Sequence, residues 1–91
     1  LSSPHASYHE IAQAITAKIQ RAQVVLVIGG MYTLYHDWMK YEVDEALRMG
    51  KPIIVIMPWG SSYIPVDLRA KASKVVGWNA ASIVSAIREL T

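Results

Sequence analysis

The sequence predicts an α/β domain in which helices cover both faces of a doubly wound parallel sheet. Two short apolar runs, residues 24–28 and Ile53–Met57, have the β-branched composition of strands that are buried on both faces. A helix-length amphipathic segment separates them, and alternation of strand and helix favours parallel pairing through right-handed crossovers. The length of 91 residues allows one domain at most.

Local capping signals predict the two long helices on either side of the first strand. Ser7 and Glu10 have the spacing of a capping box, which predicts a helix over residues 7–21. A second helix is predicted over residues 37–49. Gly50 follows it directly, and glycine is the residue that most often ends a helix in the left-handed conformation.

Turn-forming residues predict the remaining connections. Gly29 and Gly30 end the first strand, and the chain from there through residue 36 is predicted to be a loop. A second loop, a short helix and a short third strand are predicted over residues 58–65, 66–72 and 74–76. Asn79 is suited to cap the last helix.

The predicted sheet has few strands for this class of fold, and a helix is an unusual first element. One further strand–helix–strand unit at the front would complete a five-stranded doubly wound sheet. We therefore expect residues 1–91 to be a single domain that forms the C-terminal part of a larger one. An unpaired sheet edge should result.

The composition argues against several classes of function. The net charge of +2 is spread along the chain without a basic stripe, so nucleic acid is not an expected partner. No apolar run reaches the roughly 20 residues of a membrane span. The absence of cysteine fits a reducing cytoplasm, where we expect the protein to reside. The three histidines lack metal-ligand spacing, so no metal site is expected.

A helical wheel assigns three sides to the second helix. The side toward the sheet is predicted to hold the apolar residues Met39, Val43, Ala46 and Leu47. The solvated side is predicted to hold Asp44 and Arg48. Trp38 and Glu42 lie on a third side with Glu45, because residues four apart in a helix lie over each other.

Glu42 has a structural and a functional interpretation. An acidic residue near the start of a helix commonly serves only to stabilise the helix dipole. In the functional interpretation, Trp38 and the glycine loop enclose a cleft with Glu42 at its floor. Open parallel sheets bind ligands at the carboxyl ends of their strands, where these loops lie. A carboxylate there can hydrogen-bond a ribose hydroxyl or stabilise an oxocarbenium ion.

The stretch "DWMKYEVDEAL" resembles the motif of TIR domains in which a tryptophan precedes a helical glutamate by four positions. The resemblance extends over "AQVVLVIGGMYTLYHDWMKYEVDEALRMGKPIIVIMPWG" and the later "VVGWNAASIVSAI". Both segments are similar to TIR-like proteins of the bacterial Thoeris anti-phage defence family. The resemblance covers about residue 19 to the end of the chain, and its separate segments match in order.

The resemblance implies a flavodoxin-like fold and an enzyme that cleaves NAD+ at the bond between nicotinamide and ribose. NAD+ is then the substrate, and neither a cofactor nor a metal is required. Some members of the family make cyclic ADP-ribose-type signals. The catalytic glutamate of the family falls on Glu42. The residues expected near the ligand are Gly29, Gly30, Tyr32, Thr33, Trp38 and Trp59.

Two other classes of function stay open on the sequence. Many TIR domains signal by contact, so one alternative is a non-catalytic interaction module that self-associates through exposed aromatic residues. The other is a nucleoside deoxyribosyltransferase-like enzyme, which has a related fold and a glutamate-containing helix before a Gly-Lys-Pro strand. The bulky Trp38, four residues before the glutamate, favours the TIR interpretation.

Overall fold

The computed structural model describes residues 7–34, 36–58 and 64–91. In chain order the elements are α1 (Tyr8–Arg21), β1 (Val25–Ile28), α2 (Gly29–Leu34), α3 (His36–Arg48), β2 (Ile53–Met57), α4 (Val66–Lys71), β3 (Lys74–Gly77) and α5 (Ala80–Leu90). Among these elements, none is a helix long and apolar enough to cross a bilayer.

The three strands form one parallel sheet in the order β1-β2-β3, as the sequence predicts. Val25 lies opposite Ile53, and Ile54 lies opposite Lys74. The central strand β2 is the most apolar, and four of its five residues are buried. The two outer strands cover both edges of β2. The prediction of parallel pairing through crossover helices is confirmed.

Helices cover both faces of this sheet. One face packs against α1, α3 and α4 through a core that includes Ile19, Val43 and Leu68. The other face packs against α5, where Ile54 and Ile56 meet Ala86. The arrangement is α/β with a doubly wound, flavodoxin-like order of strands and helices, in agreement with the predicted fold class.

The predicted caps are present. Glu10 donates its backbone N–H to the Ser7 hydroxyl oxygen at 3.1 Å, and the Ser7 N–H donates to the Glu10 carboxylate at 2.9 Å. The Asn79 side chain likewise accepts the N–H of Ser82. Gly50 has a φ of 69°, the left-handed conformation that ends α3 without the steric cost of a side chain.

The predicted loop after the first strand is wrong, because Gly29 and Gly30 are the first two residues of the short helix α2. Gly29 is buried against β2, and a Cβ at that position would lie 3.7 Å from the carbonyl oxygen of Ile56. That is an ordinary van der Waals distance, so the space beside Gly29 would also accept a small side chain. Tyr32 then buries its ring in the core, which holds the segment helical.

One prediction for α3 is also wrong. Leu47 does not face the sheet, since it is 45% exposed in the last turn while Ala46 takes the inward position. Asp44 lies on the solvated side as predicted, with its side chain 43% exposed, and it also accepts hydrogen bonds from Lys40 on the same helix and from Lys71 on α4, each at 2.9 Å. Asp44 therefore links α3 to α4.

The β1 edge of the sheet is open in the described part of the chain. Val25 donates its N–H toward β2, to the carbonyl of Pro52. Backbone groups of successive residues in a parallel ladder point to opposite sides, so Leu26 directs its N–H and C=O away from the sheet. Its side chain is 43% exposed although it lies in the middle of the strand. This edge is where the candidate site is found.

Candidate functional site

Glu42 lies in the second turn of α3 and is half-buried beside the open edge of β1. It lines a cavity of about 200 Å³ between three elements. The other lining residues are Lys18, Ile19 and Ala22 of α1, and Val24, Val25 and Leu26 at the start of β1. The carboxylate therefore faces a space walled by two helices and a strand edge.

Glu42 makes no hydrogen bond and no ion pair within the described ranges. Burial raises its pKa above the ordinary value of 4.5, and the positive charge of Lys18 acts in the opposite direction. The Glu42 carboxylate keeps contact with solvent, since no buried side-chain oxygen of the described residues lacks a hydrogen-bond partner. Perturbed, unpaired groups of this kind cluster at functional sites.

Glu45, one turn further along α3, provides the contrast. Its side chain is only 14% exposed, yet it accepts two hydrogen bonds from Arg48 at 2.8 and 2.9 Å. It also accepts the hydroxyl of Thr16 at 2.8 Å. These donors lower the pKa of Glu45 to about 2. Glu45 is thus a structural carboxylate, whereas Glu42 is left available.

Thr16 and Tyr41 complete a polar contact that fixes α1 against α3. The two hydroxyl oxygens are 2.7 Å apart, and Tyr41 also donates to the carbonyl of Ala12 at 3.4 Å. No local sequence pattern signals this contact, because its members are 25 to 29 residues apart. It sets the position of the two helices that form the walls of the Glu42 cavity.

Trp38 lies one helical turn before Glu42 on the same side of α3. Its ring stacks on Tyr8 with centroids 4.4 Å apart and meets Tyr41 edge-on at 6.0 Å. Tyr8 contacts Trp38 and Thr16 contacts Glu45, so α1 and α3 run in the same direction. An aromatic cluster therefore stands one helical turn from Glu42, towards the carboxyl ends of the strands, whereas the cavity is lined by the end of α1 and the start of β1.

None of the predicted ligand contacts that the structure describes, Trp38 included, lines this cavity. Gly29 is packed against β2, and Gly30 is exposed next to Pro58. Tyr32 is 1% exposed, and its hydroxyl donates to Asp67 at 3.0 Å. Burial and the neighbouring carboxylate raise the pKa of Tyr32 to about 12. The Thr33 side chain and Trp59 lie outside the described residues.

A comparison with protein families finds one match that covers most of the chain. The family model of the TIR-like domain of Thoeris protein ThsB matches residues 2–63. The chain belongs to this family. A comparison with curated proteins finds no match.

The match to the Thoeris TIR-like domain begins earlier than the resemblance seen in the sequence, since it includes α1. It contains the whole step from Trp38 to Glu42, together with β1 and β2. It stops before β3 and α5, so the resemblance of "VVGWNAASIVSAI" stays a prediction. All the side chains that line the Glu42 cavity fall within the matched residues.

This Thoeris TIR-like domain has a second, larger cleft at the carboxyl ends of its strands. The cleft has a volume of about 570 Å³ and is mostly apolar. Its lining residues are Ile28, Met31, Pro58 and Trp78. It lies where open parallel sheets bind ligands. Gly30 borders it through Pro58. In the described ranges no group of three or more acidic or histidine side chains is arranged to hold a metal.

Proposed function

We propose that the intact protein cleaves NAD+ at the bond between nicotinamide and ribose, with Glu42 as the catalytic residue. The observation that carries the proposal is the unpaired, half-buried carboxylate of Glu42 in a cavity. Membership of the Thoeris TIR-like family and the Trp38–Glu42 step support it.

The chemistry needs little more than a fixed negative charge. Nicotinamide leaves as a neutral molecule when its pyridinium nitrogen takes the electrons of the C–N bond. The positive charge moves to the ribose, whose oxocarbenium-like state is stabilised by a nearby carboxylate. Water then attacks the ribose C1′ and loses a proton, which gives linear ADP-ribose. Attack by the adenine of the same molecule gives a cyclic product instead.

The two ends of NAD+ differ in what they require from the protein. We place the nicotinamide ribose in the Glu42 cavity, with Trp38 one helical turn away towards the carboxyl ends of the strands. The rest of the dinucleotide extends towards the carboxyl ends of the strands, where Gly30 borders an apolar cleft. An apolar cleft with an exposed tryptophan, Trp78, suits a nucleobase.

We further propose that the protein acts in the cytoplasm, where NAD+ is abundant, and that its product is a signal in anti-phage defence. This part rests on the Thoeris family, whose TIR-like domain the chain matches. Self-association through TIR-like surfaces belongs to the same proposal.

The test is incubation of the intact protein with NAD+, and separately with deoxynucleosides, followed by chromatography of the products. Release of nicotinamide together with linear or cyclic ADP-ribose is the expected result. Transfer of a base between deoxynucleosides would instead identify a deoxyribosyltransferase. If neither substrate is consumed, the enzymatic proposal is wrong.

The open β1 edge favours a second candidate, a module that acts by association. An unpaired edge and the exposed side chain of Leu26 are features of a surface that pairs with another strand. This candidate predicts a stable assembly and no consumption of NAD+. Because self-association belongs to both candidates, consumption of NAD+ by a sample that light scattering shows to be assembled separates them.

A further inference from the structure

Lys18 is distinguished from the other lysines of the chain by the absence of a partner within the described ranges. The remaining four have one: Lys40 and Lys71 bind Asp44, Lys74 pairs with Glu89, and Lys51 donates to the carbonyl of Gln20. Lys18 is exposed in the last part of α1 and lines the Glu42 cavity. Its ammonium group is therefore available to a ligand.

Lys18 and Glu42 are close without touching. Lys18 acts on the titration of Glu42 through its charge, yet the two side chains form no ion pair. Opposite charges that share a cavity but stay apart leave room for a molecule between them. Such a molecule would place a cationic centre at Glu42 and an anionic group at Lys18.

We infer that Lys18 binds the phosphate next to the nicotinamide ribose of the substrate, an inference that rests on the proposed function. The ribose that carries the scissile bond also carries this phosphate at its 5′ position. A ligand with the ribose at Glu42 therefore holds an anion within one sugar length of the carboxylate. Lysine commonly binds phosphate as a mobile point charge.

The substrate class follows from this assignment. The site takes a nicotinamide nucleotide in preference to the corresponding nucleoside, because only the nucleotide satisfies both charges. Lys18 is a binding residue in this arrangement and takes no part in breaking the bond. Its removal should weaken substrate binding and leave the chemical step unchanged.

The experiment compares three substrates that share the scissile bond: NAD+, nicotinamide mononucleotide and nicotinamide riboside. Lys18→Gln should raise KM for the two phosphate-bearing substrates about tenfold, the effect of losing one charge-assisted hydrogen bond. At a pH at which Glu42 is ionised in both proteins, its kcat should stay the same, as should its kcat/KM for the riboside. Lys18→Arg should restore most of the loss.

Arg88→Gln is the matched control, because it removes one exposed positive charge from α5, on the other face of the sheet. It should leave KM unchanged for all three substrates. An equal loss for nucleotides and riboside in Lys18→Gln would overturn the inference and mean that Lys18 acts only on the charge of Glu42.

The inference can fail separately from the proposed function. Cleavage that depends on Glu42 but not on Lys18 overturns the inference alone. If the parent protein cleaves none of the substrates, the proposed function fails, and binding of ADP-ribose is measured by calorimetry. Weaker binding by Lys18→Gln would still support the phosphate contact. Equal affinity, or no binding by the parent, overturns it.

Discussion

Replacement of Glu42 by glutamine tests the catalytic assignment most directly. The change keeps the shape of the side chain and removes its charge. We expect turnover of NAD+ by the intact protein to fall by at least about 100-fold, roughly 2.7 kcal/mol of transition-state stabilisation, as when one electrostatic group is lost elsewhere. The KM should change much less, since the ground-state ribose carries less positive charge than the transition state.

The structure predicts that this replacement leaves the fold intact. Glu42 makes no hydrogen bond among the described residues, so no partner is lost. The favourable interaction of a carboxylate with the helix dipole contributes at most about 1 kcal/mol, and burial of the charge opposes it. For a domain of this size, about 1 kcal/mol corresponds to a change in thermal midpoint of roughly 4–8 °C.

The assay measures NAD+ turnover and thermal midpoint for the parent, Glu42→Gln and a control. Asp37→Asn is the suitable control, because Asp37 is an exposed carboxylate in the first turn of the same helix. Asp44 is unsuitable, because its loss would break the hydrogen bonds that link α3 to α4. Parent-like turnover by Glu42→Gln would show that Glu42 is not catalytic. Unfolding of this variant would show that Glu42 is structural.

Four further predictions concern stability and association. Burial raises the pKa of Glu42 above 4.5, so the free energy of unfolding should be higher below that pH and should fall as pH rises through the raised value. Glu42→Gln should abolish this fall when denaturation is measured across pH. Gly50→Ala should cost roughly 1–2 kcal/mol in urea unfolding, since alanine is strained at a φ of 69°. Ile54→Ala should cost about 2–5 kcal/mol by the same method, because Ile54 is fully buried in the central strand. The chain of residues 1–91 should self-associate in light scattering and Leu26→Lys should reduce this with little change in stability; a parent that stays monomeric would contradict the prediction.

The sequence predicted those parts of the fold that depend on residues close together in the chain. The strand Ile53–Met57 was predicted with its observed bounds, because a short β-branched run between turn residues has few alternatives. The Ser7 and Asn79 caps depend on spacings of three residues and were also predicted. Helix α2 was not predicted, because glycine normally favours a turn and the packing of Tyr32 into the core is a tertiary contact without a local sequence signal.

The candidate site was predictable only in part, because local sequence patterns do not show contacts between distant parts of the chain. Helical periodicity placed Trp38 and Glu42 on one side of α3. Which residues of α1 line the Glu42 cavity depends on how α1 packs against α3. Thr16 fixes this packing through its contacts with Tyr41 and Glu45, which are 25 and 29 residues away in the sequence. Lys18 could therefore not be assigned to the cavity from the sequence.

The two glutamates of α3 have different roles, since Glu45 holds α1 against α3 and Glu42 is the candidate catalytic residue. Glu45 is held by Thr16 and Arg48 and keeps its charge down to a pH of about 2, whereas burial brings the titration of Glu42 above 4.5. Carboxyl NMR signals of neighbours on one helix should therefore titrate in separate ranges and be assignable without mutation. Because the two pKa values differ, protonation of Glu42 leaves the hydrogen bonds of Glu45 that hold α1 against α3 unchanged. Glu42 can therefore gain or lose a proton while Glu45, which fixes the two helices around the cavity, stays ionised.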